Sequence, residues 1–261
     1  MKPCPERLRD KVALVTGGAR GIGQAICERF AAEGARVAVA DLDATECARV
    51  AGEIGEGTFG VRLDVTNQGS IDAAVGAVVE KFGRIDVLIN NAGVWELQPL
   101  LEMTRERTAR VFAVNVEGLI FTTQAVARQM ITQGQGGRVI NFSSQAGRRG
   151  EALSLAYCAA KAAVISITQS MALDLIRHGI NVNAIAPGIV DTPMWDVVDA
   201  TFVKHEGMQP GERKRQAVAA VPAGRFGDVR EIAAMAAFLA SDDAAYIVAQ
   251  CYNVDGGSVM S

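Results

Sequence analysis

Tyr157 and Lys161 lie four residues apart, and together their side chains could move protons to and from a bound molecule. On a helix, residues at this spacing share one face, so the ammonium group can lie beside the phenol. A nearby fixed cation favours the phenolate and would lower the pKa of Tyr157 from its reference value of about 10. Ser144 lies thirteen residues upstream of Tyr157. The pair predicts a general acid/base site, although this spacing alone is weak evidence in a chain with three tyrosines.

A glycine-rich loop near the N-terminus supplies stronger context. Residues 11–16 form a short apolar run typical of a buried strand, and a helical pattern covers residues 24–33. Between them, Gly17, Gly21 and Gly23 allow the backbone to turn tightly and to approach a pyrophosphate, whose charge the helix N-terminus would meet. A lone glycine-rich segment is usually only a loop. The order of strand, glycines and helix instead predicts a dinucleotide-binding site.

The residue that ends the next apolar run bears on the choice of dinucleotide. Residues 36–40 are predicted as the second strand, and Asp41 follows them. A carboxylate there can accept both adenosine ribose hydroxyls and would repel a 2′-phosphate, which favours NAD over NADP. Arg20 in the glycine loop could attract a phosphate, but Asp41 would lie against the 2′ position itself. The alternative is that Asp41 is only the N-cap of a helix over residues 43–51.

Composition excludes several other classes of protein. The chain has 261 residues, 49% of them apolar, which is ample for a sizeable core. A net charge of −3 offers no basic face to nucleic acid, and no uninterrupted apolar run approaches the roughly 20 residues of a membrane span.

His178 and His205 are the only histidines and no C-x-x-C motif occurs, so no metal site is predicted. Five scattered cysteines fit a reducing cytoplasm, and residues 1–10, which lack the apolar core of a secretory signal, are predicted to be a frayed leader.

Strands and helices alternate along the rest of the chain. Further strands are predicted at 58–64, 85–90, 138–142, 180–186 and 249–254, with helices that include 68–82 and 104–131. Such alternation predicts an α/β protein with a doubly wound parallel sheet covered by helices on both faces. Asp41, Asn90, Ser144 and Pro187 all fall at the predicted carboxyl ends of strands, and would share the rim where such sheets bind ligands. No linker or repeat interrupts residues 1–261, so one domain is predicted.

Taken together, these motifs resemble the short-chain dehydrogenase/reductase family, in particular its NAD-preferring members. The resemblance extends from Lys11 to Gly257 and implies a Rossmann-type fold. The motifs that carry it are residues 16–23 (TGGARGIG), Asp64, residues 90–93 (NNAG), Asn115, Ser144, Tyr157, Lys161, Pro187 and Gly188.

The resemblance implies roles for four catalytic residues. Tyr157 would be the base that takes an alcohol proton while hydride moves to the nicotinamide, and Lys161 would lower its pKa and hold the nicotinamide ribose. Ser144 would hydrogen-bond the reacting oxygen as charge develops, although the neighbouring Ser143 competes for this role. Asn115 would hold a water that links Lys161 to solvent. The alternative for Asn115 is that it only bends the helix in which it lies.

The resemblance also implies a set of contacts to NAD. Asp64 would meet the adenine edge, and the loop after residue 186 would hold the nicotinamide carboxamide. For Asn90, a brace within the sheet is the alternative to a cofactor contact. The full implied set is Gly17, Arg20, Gly21, Ile22, Gly23, Asp41, Asp64, Val65, Asn90, Ala92, Gly93, Tyr157, Lys161, Pro187, Gly188, Val190 and Thr192.

Three further segments are similar to the bacterial sorbitol (L-iditol 2-) dehydrogenases of this family: residues 143–152, 176–188 and 246–257. This similarity implies NAD-dependent oxidation of sorbitol, galactitol or L-iditol to the ketose. Residues 189–224 are predicted to form a substrate loop or lid, in which Trp195 is either a pocket wall or part of a partner surface. Arg148 offers further donors to a hydroxyl-rich substrate. The predicted substrate residues are Ser144, Gln145, Glu151, Tyr157 and Trp195.

The family resemblance further implies a cytoplasmic homotetramer, packed through the helices that contain Asn115 and Tyr157, with no nucleic-acid or membrane partner. Two rival functions stay open. One is a reductase of 3-oxoacyl thioesters, which normally would use NADP and a basic patch, and Asp41 speaks against it. The other is a non-catalytic NAD sensor, and retention of Ser144, Tyr157 and Lys161 speaks against that.

Overall fold

The computed structural model describes residues 3–192 and 194–260 and contains one sheet of seven strands, every pair of neighbours parallel. The strand order is β3-β2-β1-β4-β5-β6-β7. The strands are β1 (Val12–Thr16), β2 (Arg36–Asp41), β3 (Thr58–Arg62), β4 (Val87–Asn90), β5 (Gly137–Phe142), β6 (Ile180–Pro187) and β7 (Cys251–Val254). The predicted single-domain α/β fold with a doubly wound parallel sheet is confirmed.

Helices connect successive strands, as parallel pairing requires. They are α1 (Gly21–Ala32), α2 (Ala44–Ile54), α3 (Gln68–Phe82), α4 (Arg105–Phe112), α5 (Gly118–Gln133), α6 (Leu155–Leu175), α7 (Met194–Glu206), α8 (Glu212–Ala219) and α9 (Val229–Ala240). The helix predicted at 104–131 is interrupted, because a π-helical turn at Ala113–Glu117 separates α4 from α5. Pro193, in the predicted substrate loop, lies outside the described residues.

The two faces of the sheet support two separate apolar cores. Along β1, Ala13 and Val15 point to one face while Val12 and Leu14 point to the other, as the two-residue period of a strand requires. The first core packs against α1 and α9, and the second against α3, α5 and α6. Because helices bury both faces, the central strands are apolar throughout rather than alternating with polar residues.

The strand order reverses between β1 and β4, which opens a crevice at the carboxyl edge of the sheet. Asp41, Asn90 and Pro187 are the last residues of their strands, and Ser144 lies two residues beyond β5. All four lie on one rim, as predicted.

The N-terminal leader is held to the domain, and the prediction that it frays is wrong for residues 4–8. Leu8 is fully buried in the core beside α1, and its backbone N–H donates to the Glu33 carbonyl (2.9 Å). The buried Glu33 carboxylate accepts from Cys4 N (3.2 Å) and from Arg29 Nε (2.6 Å). The apolar side chain of Leu8 and the buried carboxylate of Glu33 thus order the polar segment 4–8. The local sequence alone shows neither contact.

One helix meets the length and composition of a membrane span, which the sequence reading did not anticipate. It covers Leu155–His178, with 28% of the most apolar stretch buried. Within α6, Ala160, Val164, Thr168 and Ala172 are buried in the domain. The buried face of this helix therefore belongs to the α/β core.

The docked leader predicts a cost for truncating Leu8. Leu8→Ala should lower the free energy of unfolding by about 2–5 kcal/mol, because a fully buried leucine is replaced by a cavity. Denaturant titration measures this change. The matched control is Leu101→Ala, where the side chain is 97% exposed and the change should stay within about 0.5 kcal/mol. Equal stability of the two variants would mean that the leader is not docked in solution.

Candidate active site

The glycine loop between β1 and α1 forms a cradle of backbone. Gly17 has φ +63°, and a Cβ at Gly23 would lie 2.0 Å from the Gly17 carbonyl oxygen, so a side chain there cannot be accommodated. Asn91 Nδ2 donates to the carbonyls of Thr16 (3.2 Å) and Gly17 (3.0 Å), which anchors the loop to the end of β4. The sequence analysis gave Asn91 no role of its own.

The start of α1 suits an anion. Arg20 precedes it and makes no side-chain capping bond within the described residues, and the first turn holds no acidic residue. The first N–H groups are therefore available to a phosphate, whose charge the helix dipole favours. Ile22 is half-buried and packs on the core beneath. This part of the predicted site fits a pyrophosphate.

Asp41 is buried at the end of β2, with its carboxylate held by backbone donors. Oδ1 accepts from Leu42 N (2.8 Å) and Oδ2 from Ala19 N (3.4 Å). Asp43 is the residue that caps α2, accepting from Thr45 N (2.9 Å) and Glu46 N (3.2 Å), so the N-cap alternative for Asp41 is wrong. An open cavity of about 430 Å³ adjoins the carboxylate and is lined by Arg20, Asp41, Leu42, Asp43, Ala44 and Arg62. Arg62 was missed by the sequence analysis, although it directly opposes Asp41 in the β2–β3 register.

Asn90 acts as a brace within the sheet. Its Nδ2 donates to Thr123 Oγ1 (2.8 Å) and to Asn141 Oδ1 (2.9 Å), and the residue is 4% exposed. The side chain is therefore committed to the core, and its hydrogen bonds support the alternative role of a brace within the sheet. Ala92 N donates to Thr16 Oγ1 (3.0 Å), which holds the next residues against the glycine loop.

Two further predicted cofactor residues, Asp64 and Val65, lie in the loop after β3. Asp64 Oδ1 accepts from Thr66 N (3.0 Å) and Thr66 Oγ1 (2.7 Å), and these hydrogen bonds lower the pKa of the Asp64 carboxyl. The neighbouring Val65 packs on Gly118, where a Cβ would lie 2.7 Å from Val65 Cγ2. Both residues thus also shape the loop after β3.

The loop after β6 approaches the glycine loop from the other side. A Cβ at Gly21 would lie 3.8 Å from Thr192 Cγ2, so Thr192 faces the start of α1 across the crevice. Val190 is buried and pairs with Gly227. Gly188, which follows Pro187, packs directly on Asp255, and a Cβ there would lie 2.7 Å from Asp255 Cβ.

Ser144, Tyr157 and Lys161 come together at the centre of the rim. The side chains of Ser144 and Tyr157 share a hydrogen bond. Ser143 is turned away, because its hydroxyl donates to the Lys161 carbonyl (2.8 Å), so Ser144 is the serine beside the phenol. Lys161 Nζ donates to the Phe142 carbonyl (2.8 Å) and lies 5.6 Å from the centre of the Tyr157 ring.

The pKa of Tyr157 is shifted in the opposite direction from the one predicted from the sequence. Burial raises the pKa of Tyr157 to about 12; the hydrogen bond with Ser144 lowers it, and the charge of Glu151 raises it. Burial also lowers the pKa of Lys161 to about 8. The predicted lowering of the tyrosine pKa by Lys161 is therefore wrong for the free protein. Desolvation penalises both charged forms, and it is the largest cause of each shift.

Asn115 lies in the π-helical turn and is 1% exposed. Its Nδ2 donates to the carbonyls of Val94 (2.8 Å) and Val111 (2.9 Å), while its buried Oδ1 has no hydrogen-bond partner among the described residues. A Cβ at Gly93 would lie 2.7 Å from this Oδ1 and 3.5 Å from Lys161 Nζ, so both atoms border the space that Gly93 leaves open. An unsatisfied acceptor beside an ammonium suits an ordered water. The break in the helix and the predicted water site therefore occur together.

Polar side chains follow Ser144 in the next loop. Gln145 Nε2 donates to Glu151 Oε1 (3.1 Å), and Gln145 Oε1 is buried without a partner among the described residues. Glu151 is close enough to Tyr157 for its charge to raise the pKa of the phenol. Arg148 is an anchor of this loop, since its Nη2 donates to the Cys251 carbonyl (2.8 Å).

Trp195 packs in a small apolar core, and Trp95 packs against Tyr157. Trp195 is 7% exposed and packs edge-on against Phe226, so it is a core residue of the α7–α8 region rather than a partner surface. Trp95, to which the sequence analysis gave no role, lies against Tyr157 with ring centres 5.6 Å apart. Its place two residues after the NNAG motif was the available signal.

Among residues 3–192 and 194–260, no group of three or more His, Cys, Asp or Glu side chains is placed to hold a metal ion. The chemistry available at the rim is that of a phenol, a hydroxyl and an ammonium beside a crevice suited to a dinucleotide.

Comparisons with known proteins agree with this geometry. The short chain dehydrogenase family matches residues 11–201. A sorbitol dehydrogenase of Cereibacter sphaeroides is 56% identical over 255 residues, which cover 98% of this chain and 100% of that protein. A galactitol 2-dehydrogenase of Agrobacterium fabrum is 54% identical over 255 residues, which cover 98% of this chain and 100% of that protein. The crystal structure of a 3-ketoacyl-(acyl-carrier-protein) reductase of Brucella melitensis, complexed with NADH, superposes with a TM-score of 0.88 at 33% identity, over 97% of this chain and 100% of that one.

The lowered pKa of Lys161 predicts a pH-dependent stability difference. Below about pH 8 the ammonium is charged in both the folded and unfolded states, so its burial penalty is fully present. Between about pH 8 and pH 10.5 the unfolded chain binds more protons, and stability gains from rising pH. Lys161→Met should therefore stabilise the cofactor-free protein relative to wild type more at about pH 7 than at about pH 10, as measured by thermal melts. The matched control is Lys204→Met, which replaces an exposed lysine.

Proposed function

The chain belongs to the short-chain dehydrogenase family, and on that premise we propose that it oxidises a free sugar alcohol to the ketose with NAD. It is an oxidoreductase that uses a nicotinamide cofactor. The proposed substrates are sorbitol, galactitol and L-iditol. The observation that carries the proposal is the Gln145–Glu151 pair beside Ser144 and Tyr157, because it offers both donors and acceptors to a hydroxyl-rich chain.

In the proposed mechanism, Tyr157 takes the proton of a secondary hydroxyl that Ser144 holds by a hydrogen bond. When bound, the nicotinamide supplies the hydride acceptor. Lys161 would hold the nicotinamide ribose, and the proton would leave through a water held by Asn115 Oδ1 and Lys161. Since burial raises the pKa of Tyr157, the reactive phenolate becomes more abundant as pH rises, and oxidation is expected to be faster at alkaline pH.

The proposed preference for NAD rests on Asp41. Its buried carboxylate adjoins the open cavity beside the glycine loop, where it is available to the two ribose hydroxyls. A 2′-phosphate would meet this negative charge at close range. Arg20 and Arg62 line the same cavity and favour a phosphate, but neither removes the repulsion from Asp41. In the proposed NAD complex, the other residues at the rim bind the cofactor mainly through backbone atoms and through the shape of the crevice.

Substrate affinity should be modest. A neutral polyol gains about 0.5–1.5 kcal/mol from each hydrogen bond, so a Michaelis constant in the millimolar range is expected. Residues 189–224 would cover the bound chain. In this proposal Trp195 supports the cover from within, since it packs against Phe226 rather than lining a free surface.

A second candidate is the reduction of 3-oxoacyl thioesters, which the likeness to the Brucella melitensis reductase favours. That chemistry serves substrates on an acidic carrier protein, and this chain carries a net charge of −3. Asp41 also opposes NADP. A non-catalytic NAD sensor is less favoured still, because Ser144, Tyr157 and Lys161 are assembled at one point of the rim.

We also propose a cytoplasmic homotetramer that packs through α5 and α6. The support is a set of apolar side chains on these helices that are exposed in the single chain: Phe121, Ile131, Leu155 and Leu173.

The function is tested by NADH formation at alkaline pH with sorbitol, galactitol and L-iditol, beside 2,3-butanediol and a 3-oxoacyl thioester in the reductive direction. Oxidation of at least one hexitol should exceed the other activities. Tyr157→Phe keeps the ring but removes the base, so turnover should fall by about 10²–10⁴-fold while NAD still binds. Tyr246→Phe, at a fully exposed tyrosine, is the matched control. Higher activity on the thioester than on every hexitol would reject the polyol assignment.

The choice of cofactor is tested with Asp41→Ser. The variant loses a charged acceptor worth about 1.5–3 kcal/mol per hydrogen bond, so NAD should bind about 10- to 150-fold more weakly while NADP binds better. Adding Arg62→Ala should remove much of the gain for NADP, because Arg62 lines the same cavity. Isothermal titration with both dinucleotides measures these changes, with Asp72→Ser on α3 as the surface control. A wild-type protein that binds NADP as tightly as NAD would contradict the argument.

A further inference from the structure

Trp95 lies on the segment between β4 and α4, directly beside the proposed base. Its ring and that of Tyr157 are 5.6 Å apart between centres and inclined by 36°, close enough for direct contact. Trp95 is half-buried, so part of the residue remains accessible to solvent. The proposed mechanism gives this residue no task.

The orientation of Trp95 is held from two sides. Its indole N–H donates to Ser154 Oγ (3.0 Å), and Ser154 is 1% exposed at the start of α6. The next residue, Glu96, accepts from Arg107 Nε (2.6 Å) and Arg110 Nη1 (3.4 Å), which anchors the segment to α4. A buried polar partner and an ion-paired neighbour restrict the ring to one position.

Trp95 also connects the base to the predicted lid. It packs on the apolar cluster formed by Trp195, Val198, Phe202 and Ala217 of α7 and α8. One part of the indole therefore contacts Tyr157 and another contacts the region predicted to cover the substrate.

We propose that Trp95 is a specificity-determining and positioning residue: its indole is the apolar wall for the substrate's carbon chain, and it shields Tyr157 from water. This inference rests on the proposed oxidation of a sugar alcohol. A polyol presents hydroxyls, which Gln145 and Glu151 can bind. It also presents C–H bonds, whose partly positive hydrogen atoms suit the negative face of an aromatic ring. A six-carbon chain covers more of the indole than a four-carbon diol does. The wall therefore favours hexitols over short diols.

The shielding role has its own consequence. Tyr157 owes its raised pKa mainly to burial, and Trp95 is one of the groups that bury it. A smaller side chain would admit water to the phenol and stabilise the phenolate. The rise of kcat/KM with pH should then shift to lower pH, an effect that loss of polyol contacts alone would not produce.

The experiment compares wild type, Trp95→Phe, Trp95→Leu and the control Leu101→Ala, an exposed leucine of the same segment. For each, KM and kcat are measured with a hexitol and with 2,3-butanediol over a range of pH. In Trp95→Leu, KM for the hexitol should rise about 3- to 15-fold, while KM for butanediol changes less than about 2-fold. The pH midpoint of kcat/KM should fall. Trp95→Phe should lie between Trp95→Leu and wild type, and Leu101→Ala should match wild type.

A binding measurement makes the test independent of turnover. The chain has two tryptophans, so Trp195→Phe leaves Trp95 as the only indole. In the double variant Trp195→Phe/Tyr157→Phe saturated with NAD, adding sorbitol should change the emission of Trp95, and adding butanediol should change it less.

The outcomes separate the two proposals. A wild-type protein that oxidises no hexitol rejects the proposed function. A wild-type protein that oxidises hexitols, with an unchanged hexitol-to-butanediol KM ratio and an unchanged pH midpoint in both Trp95 variants, rejects the role of Trp95. An emission signal that does not respond to sorbitol at concentrations that saturate turnover would also reject it.

Discussion

Parallel pairing of all seven strands is the constraint on which the site depends. Because the strands run in one direction, every loop that leaves a carboxyl end lies at the same edge of the sheet. The glycine loop after β1, Asp41 after β2, the NNAG segment after β4 and Ser144 after β5 come from distant parts of the chain. They meet because the strand register aligns their ends, with Thr16 opposite Ala40 and Asn90, and Asn90 opposite Asn141. Any change that shifted one strand by a residue would separate these groups.

A charged group is buried where the edge of the sheet meets α6. Lys161 is 5% exposed and donates to the Phe142 carbonyl, while Ser143 secures the Lys161 carbonyl. Burial disfavours the charged forms of both side chains: it raises the pKa of Tyr157 to about 12 and lowers the pKa of Lys161 to about 8. Polar networks hold the surroundings rigid against this cost. Asn90, Asn141, Thr123 and Thr168 form one such network between the central strands and the helices α5 and α6.

The less regular parts of the chain are attached by few but specific contacts. The leader depends on Leu8 and the Glu33 carboxylate, and α7 is joined to α8 through Asp199, which accepts from the backbone N–H groups of Gly211 and Lys214. The apolar cluster beneath α7 and α8 then meets Trp95, so the region predicted as a lid and the proposed base share one aromatic contact. Trp95 is therefore a side chain that packs both on Tyr157 and on the cluster of α7 and α8.

The sequence by itself determined those features that arise within about ten residues or along one regular element. The alternation of strands and helices, the glycine loop, the acid at the end of β2 and the Tyr157–Lys161 spacing are of this kind. The family resemblance extended them to Ser144 and to the fold. Only the tertiary structure decided that Asp43 rather than Asp41 caps α2, that Ser144 rather than Ser143 faces Tyr157, and that Asn90 braces the sheet. It also decided the direction of the Tyr157 pKa, the docking of Leu8 and the place of Trp95. Local spacing fixes which groups can be neighbours along a helix or turn, whereas desolvation and side-chain partners depend on residues far apart in the chain that only packing brings together.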